Sequence, residues 1–124
     1  MTRRALLGAL AALLAAGCAP VEPPTQAGPT TVTTDRYFRV DATPGTDRKG
    51  RPIVWGYVHG GGRGRPRLLM ETLDAAGKPI AQQVVFVGQD FAGGRVYYEA
   101  RPQTPGPAYR VTVQDVISNF NGAP

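Results

Sequence analysis

The chain has 124 residues, 42% hydrophobic and 19% charged, with 16 Gly, 12 Pro and a formal net charge of +5. That length holds one domain and not two, and the hydrophobic share excludes a wholly disordered chain. The Gly and Pro content stops short of low complexity and fits an all-β protein rich in turns. A single His (His59), a single Cys (Cys18) and a single Ser (Ser118) leave little material for a catalytic centre.

Residues 1–17 read MTRRALLGALAALLAAG. Arg3 and Arg4 form a basic start, and Ala5 to Ala16 is an apolar stretch of 12 residues. A helix that spans a bilayer needs about 20, so this is the core of a signal peptide. The run Ala15-Ala16-Gly17-Cys18, preceded by Leu14, resembles the lipobox of a bacterial lipoprotein signal. The resemblance implies cleavage before Cys18, a thioether-linked diacylglycerol on its sulfur, and a mature chain that starts there. The rival reading, an ordinary signal with an incidental Cys, leaves an unpaired thiol in an exported chain. Thr2-Arg3-Arg4-Ala5-Leu6-Leu7 also loosely resembles a twin-arginine export motif, although no cofactor motif calls for export in a folded state. Ala19 in place of Asp after the lipidated Cys favours the outer membrane. Taking Arg3 and Arg4 from the 14 basic side chains leaves 12 against 9 acidic ones, so the mature charge is +3. Charge and compartment together argue against a nucleic-acid partner.

Residues 18–34 are expected to be the lipidated Cys and a flexible linker, because residues 19–34 hold four Pro, five Thr and one charge with no apolar period. Extended, they would reach roughly 50 Å at about 3 Å per residue. The alternative for Thr31–Thr34 is a short edge strand, which its β-branched content permits. From residue 35 to 118 the chain alternates with period two, the mark of half-buried strands. Six strands are expected: 37–42, with Phe38, Val40 and Ala42 on one face; 53–59, apolar on both faces; 67–73; 80–87; 95–100, with Val96, Tyr98 and Ala100 inward; and 109–114, with Arg110, Thr112 and Gln114 outward. Asp74-Ala75-Ala76-Gly77 reads as a turn. Trp55 is the expected central buried aromatic, and residues 119–124 are a C-terminal tail. The expected fold is therefore a small antiparallel sandwich of six to seven strands.

The run Ile53 to Val58, a Gly-rich loop, Leu68 to Ile80 and the later Gly93-Gly94-Arg95-Val96-Tyr97-Tyr98-Glu99 together resemble an FxLYD-type domain. These are immunoglobulin-like sandwiches of bacterial and archaeal envelope proteins. The resemblance implies a fold and an envelope location, and it brings no catalytic residue with it.

Chemistry is sparse. A nucleophilic triad would need Ser118 and His59, with Asp90 or Asp115 as the orienting acid, but no Gly-x-Ser-x-Gly elbow surrounds Ser118. Glu71 and Asp74 are close in sequence, but the turn accounts for Asp74, and nothing selects a carboxylate pair for glycoside chemistry. One His and one lipidated Cys do not make a transition-metal site. No metal, no cofactor and no enzymatic activity is expected.

Two basic stretches are the candidate partner or anion contacts: Arg48, Lys49 and Arg51, and the Arg63, Arg65 and Arg67 of the loop 60–67. Guanidinium groups there would suit phosphate or carboxylate; the plainer reading is that they are solvated hairpin loops. Alternating strand directions put the two stretches at opposite ends. The linker is expected at the end of loop 60–66, which leaves Arg48, Lys49, Arg51, Lys78 and Arg101 at the membrane-distal end. The function expected from all this is a lipid-anchored, non-catalytic module that contacts another envelope protein. The alternative is recognition of an anionic glycan or lipid headgroup by the Arg-rich loops.

Overall fold

The computed structural model describes residues 24–61 and 63–117. The signal, Cys18, the linker up to residue 23, Ser118 and the tail 119–124 lie outside the described residues. In chain order the strands are β1 (Thr25–Gln26), β2 (Thr31–Thr34), β3 (Arg39–Thr46), β4 (Pro52–His59), β5 (Arg65–Leu73), β6 (Pro79–Phe86), β7 (Arg95–Ala100) and β8 (Ala108–Ile117). Among the described residues there is no helix. All pairing is antiparallel. One sheet runs β3-β4-β7 with β1 and β2 both on the free side of β3, and the other runs β6-β5-β8.

The period-two pattern decides what the sheets bury. Val40, Ala42, Val54, Val58, Val96, Tyr98 and Ala100 come from the first sheet. Leu68, Met70, Val85, Tyr109 and Val111 come from the second, and the two sets form one core. The side chains of Leu68 and Met70 are almost wholly covered, each contributing about 1.5–3 kcal/mol by leaving water. Consecutive strands β4 and β5 sit in opposite sheets, as do β7 and β8, while β4 pairs with β7 and β5 with β8. Neither sheet completes its pairing without the other half of the chain.

Residues 25–34, read from the sequence as linker, carry β1 and β2. Thr25 lies opposite Thr46 and Gln26 opposite Gly45, and Thr31–Thr34 runs opposite Ala42 to Arg39. Pro44 and Gly45 would ordinarily break a strand, yet β3 continues through both. Pro44 falls in the gap between β1 and β2, where its carbonyl accepts from the Ala27 N–H at 2.9 Å, and Gly45 lies beneath a ring. A Cβ on Gly45 would come within 2.5 Å of Trp55 Cζ3. Trp55 therefore lies on the outer face and does not join the core. Val54, Gly56 and Val58 point inward, so their alternates Trp55, Tyr57 and His59 point out.

The buried aromatics are Tyr98 and Tyr109, 3% and 5% exposed. Pairing of β3 with β4 passes from Val40↔Val58 to Thr43↔Trp55 with no partner for Asp41 or Ala42. The Tyr98 hydroxyl fills that gap and donates to the Asp41 carbonyl at 2.7 Å. It reaches there across Gly56, its partner on β4, where a Cβ would stand 2.0 Å from the same carbonyl oxygen. On β8 the register shifts by one, from Leu68↔Val113 to Arg67↔Asp115. The extra residue, Gln114, reverses the alternation beyond it, which turns Asp115 outward beside Arg67.

Candidate functional site: a basic pole at the domain entry

The loop joining β3 to β4 is built around one carboxylate. Asp47 Oδ1 accepts the backbone N–H of Lys49 and of Arg51, both at 2.9 Å. The Gly50 N–H returns to the Asp47 carbonyl at 2.9 Å, and Gly50 takes φ +75°, a left-handed conformation that Gly adopts at no steric cost. The Asp74–Lys78 turn repeats this arrangement, with Asp74 Oδ1 accepting from Ala76 and Lys78 at 2.9 Å. Asp-x-x-Gly is thus one local rule used twice, legible at residue 74 from the sequence and equally present at residue 47.

Asp47 has a second task that its twin lacks. Its Oδ2 accepts from Arg51 Nε at 2.9 Å and from Arg101 Nη1 at 2.8 Å, joining the loop to the end of β7. The backbone N–H of Arg51 is the foremost cause holding the Asp47 carboxyl well below its ordinary value of 3.8. Partial burial opposes this, and the guanidinium of Arg101, the Lys49 N–H and the Arg51 side chain lower it further. Arg48 and Lys49 occupy the two central positions of the turn, exposed, and neither has a charged partner among the described residues. Together with apolar Ile53 and with Pro24, the first described residue, they line a shallow hollow. Glu99 also lines it; Lys78, expected in this group, does not.

The other Arg-rich stretch lies at the opposite end of β4, so the two make no single patch. There the Gly60 N–H donates to the Gly94 carbonyl at 2.9 Å and the Phe91 N–H to Gly64 at 3.1 Å. The rings of Phe38 and Phe91 stack with centroids 6.1 Å apart. Two of its three arginines are engaged within the chain. Arg65 Nε donates to Asp90 Oδ1 at 3.1 Å. Arg67 grips Asp115 with two donors, Nε to Oδ1 at 2.8 Å and Nη2 to Oδ2. Arg63 is exposed with no ion pair among the described residues.

This end also holds His59, Asp90 and Asp115, three of the residues considered for a triad, and these three do not assemble. His59 Nε2 meets Asp41 Oδ2 at 3.0 Å, while Asp90 and Asp115 serve the two arginines. Ser118 lies outside the described residues. Among the described residues no three His, Cys, Asp or Glu side chains converge as metal ligands.

The chain enters the domain at the pole of loop 47–51, not at that of loop 60–66. Reading the first strand as 37–42 places the entry at the start of β3. The chain instead runs back along β3 as β1 and β2, and this moves the entry to the far end.

Sequence reasoning also passed over two outer faces. On the first sheet, Tyr57 meets Tyr97 edge-on at 5.4 Å, and the Arg95 guanidinium sits 4.5 Å from the Tyr57 ring centre. Burial pushes the Tyr97 hydroxyl up to about 12, helped by the hydrogen bond it donates to Glu99 and by that carboxylate's charge. On the second sheet, β6 pairs only with β5. Its outward residues Ile80, Val84 and Phe86 are exposed by 54%, 43% and 69%. The signal was present in the sequence, since Pro79–Phe86 contains no charged residue and a strand there puts Ile80, Val84 and Phe86 on one face. Comparison with protein families finds no matching family model, and comparison with curated proteins and with solved structures finds no significant match.

Proposed function

We propose that this protein is a lipid-anchored, non-catalytic module of the bacterial envelope, held at Cys18 and facing the periplasm, that contacts another envelope protein. The observation that carries the reading is β6, an eight-residue sheet edge with no charge along it and three exposed apolar side chains. Sheet edges that must stay single are usually guarded by Lys, Pro, a bulge or an inward charge. β6 has a Pro only at its first residue and a register irregularity only beside it, at Ile80, which leaves Ala81 to Phe86 unguarded. Its occupant is an extended segment of the partner protein, added as a further strand: backbone hydrogen bonds would give affinity, and Val84 and Phe86 would select apolar side chains.

The two antiparallel sheets support a β-sandwich, and the immunoglobulin-like, FxLYD-type reading rests on the sequence resemblance. An outer-membrane position rests on Ala19 after the anchor. The Arg63, Arg65 and Arg67 loop is the weaker candidate for an anion, because Asp90 and Asp115 already occupy two of its guanidinium groups.

The test is a crosslinked pull-down from the native envelope, run with Cys18→Ala, Val84→Lys and Arg63→Glu forms. A near-stoichiometric protein lost with Cys18→Ala and Val84→Lys and kept with Arg63→Glu is expected. A captured protein indifferent to Val84→Lys, or recovery of lipid or glycan alone, would overturn the reading.

A further inference from the structure

We infer that the pole formed by loop 47–51 and Arg101 docks on the anionic phospholipid headgroups of the membrane that holds the anchor, and so sets the orientation of the domain. The inference rests on the Cys18 anchor and is independent of the β6 partner. Three observations carry it. β1 pairs with the last residues of β3, which brings Pro24 into the same hollow as Arg48, Lys49, Arg51 and Arg101. From Cys18 to Pro24 there are only six Cα–Cα steps, so the hollow stays within about 20 Å of the acylated residue however the chain is drawn out. The opposite pole lies a further strand away, about 26 Å for the eight residues of β4. Both ends of the sandwich carry exposed cations, Arg36 and Arg63 at the far one, but only the end with Arg48 and Lys49 is the one the anchor holds down.

The charges divide by role. Arg51 and Arg101 are neutralised in good part by Asp47, and they keep the loop in shape. Arg48 and Lys49 stand at the tip of the turn without charged partners among the described residues, so they are the groups that meet lipid phosphate. Each basic side chain near an anionic leaflet is worth about a fivefold gain in surface partitioning. The gain decays over a Debye length of about 8 Å at physiological salt, so it acts only when the pole touches the headgroups. The acyl chains supply attachment, and the turn supplies orientation.

The experiment uses the acylated full-length protein in phosphatidylglycerol-containing vesicles doped with a gadolinium-chelating lipid, and reads amide relaxation enhancement at both poles. The Lys49 and Gly50 amides are expected to be enhanced at least about fivefold more than those of Phe91 and Gly94. That contrast is expected to shrink at least about fivefold, toward what the short tether alone maintains, in phosphatidylcholine vesicles and in an Arg48→Glu/Lys49→Glu form, neither of whose side chains supports the fold. Equal enhancement at both poles on anionic vesicles, or an undiminished contrast in the double variant, overturns the inference while leaving the anchor intact. Mass spectrometry of the Cys18 peptide separates the two failures, since absence of the acyl mass removes the anchor and the inference with it.

Discussion

Replacing Tyr98 by Phe removes one oxygen atom and leaves the ring. In the folded protein that oxygen is the hydrogen-bond donor to the Asp41 carbonyl at 2.7 Å, on a side chain 3% exposed, where β3 and β4 leave Asp41 unpaired. A carbonyl left without a donor in such a place costs about 1–3 kcal/mol. For a domain of this size, about 2 kcal/mol lowers the thermal midpoint by roughly 10 °C. Tyr97→Phe is the matched control. It is the next residue, also loses a hydroxyl that donates a hydrogen bond, but lies on the outer face against Glu99. Its effect should stay within about 0.5 kcal/mol. The assay is urea unfolding followed by the fluorescence of Trp55, the only Trp in the chain, with thermal unfolding as a second probe. A Tyr98→Phe midpoint that coincides with that of Tyr97→Phe would refute the reasoning, because the Asp41 carbonyl would then be satisfied without Tyr98.

Two predictions concern protons. The Asp47 carboxyl is held below its ordinary value of 3.8 in the fold, so the unfolded chain takes up that proton more readily. Its stabilisation is complete above that value and drains away as pH falls below it toward the folded value. Asp47→Asn keeps an acceptor for the Lys49 and Arg51 N–H groups but has no carboxylate to protonate. The natural protein should therefore lose more stability than the variant between about pH 6 and about pH 2.5 in urea titrations; equal losses would contradict the assignment. At the alkaline end, Tyr97 is raised to about 12 and Tyr98 further, burial being the main cause in both. Their neutral forms are favoured in the fold, so this stabilisation is present below the ordinary Tyr value of 10.0 and is lost as pH climbs beyond it. Ultraviolet titration should show these two of the five Tyr ionising late, and Tyr97→Phe should remove the wave near 12. A single common wave near 10 would contradict this.

Much of the fold was legible because it is written at short range. Alternation within each strand selects Val40, Ala42, Val96, Tyr98 and Ala100 for the interior, and Asp74-x-x-Gly77 closes its hairpin with its own side chain and backbone. Neither needs a distant partner to be recognised. The candidate site was partly legible in the same way: Arg48, Lys49 and Arg51 stand out as a basic run and alternating strand directions bring Arg101 to their end, while the bond that ties Arg101 to Asp47, 54 residues away, was not legible.

What only the tertiary structure decided depends on which strand lies beside which. The linker's last residues gain a partner in β3, and that one pairing carries the chain's entry to the basic pole. Gly45 and Gly56 look like interruptions until the Trp55 ring and the Asp41 carbonyl are seen to need the space they leave. The same one-residue shift at Gln114 that bends β8 turns Asp115 toward Arg67, so an arginine that reads as free along the chain is occupied in space. Alternation and turn chemistry are properties of neighbours in sequence, and they set the class of fold. Register, polarity and the pairing of charges arise between residues tens of positions apart, and only the packed sheets bring those together.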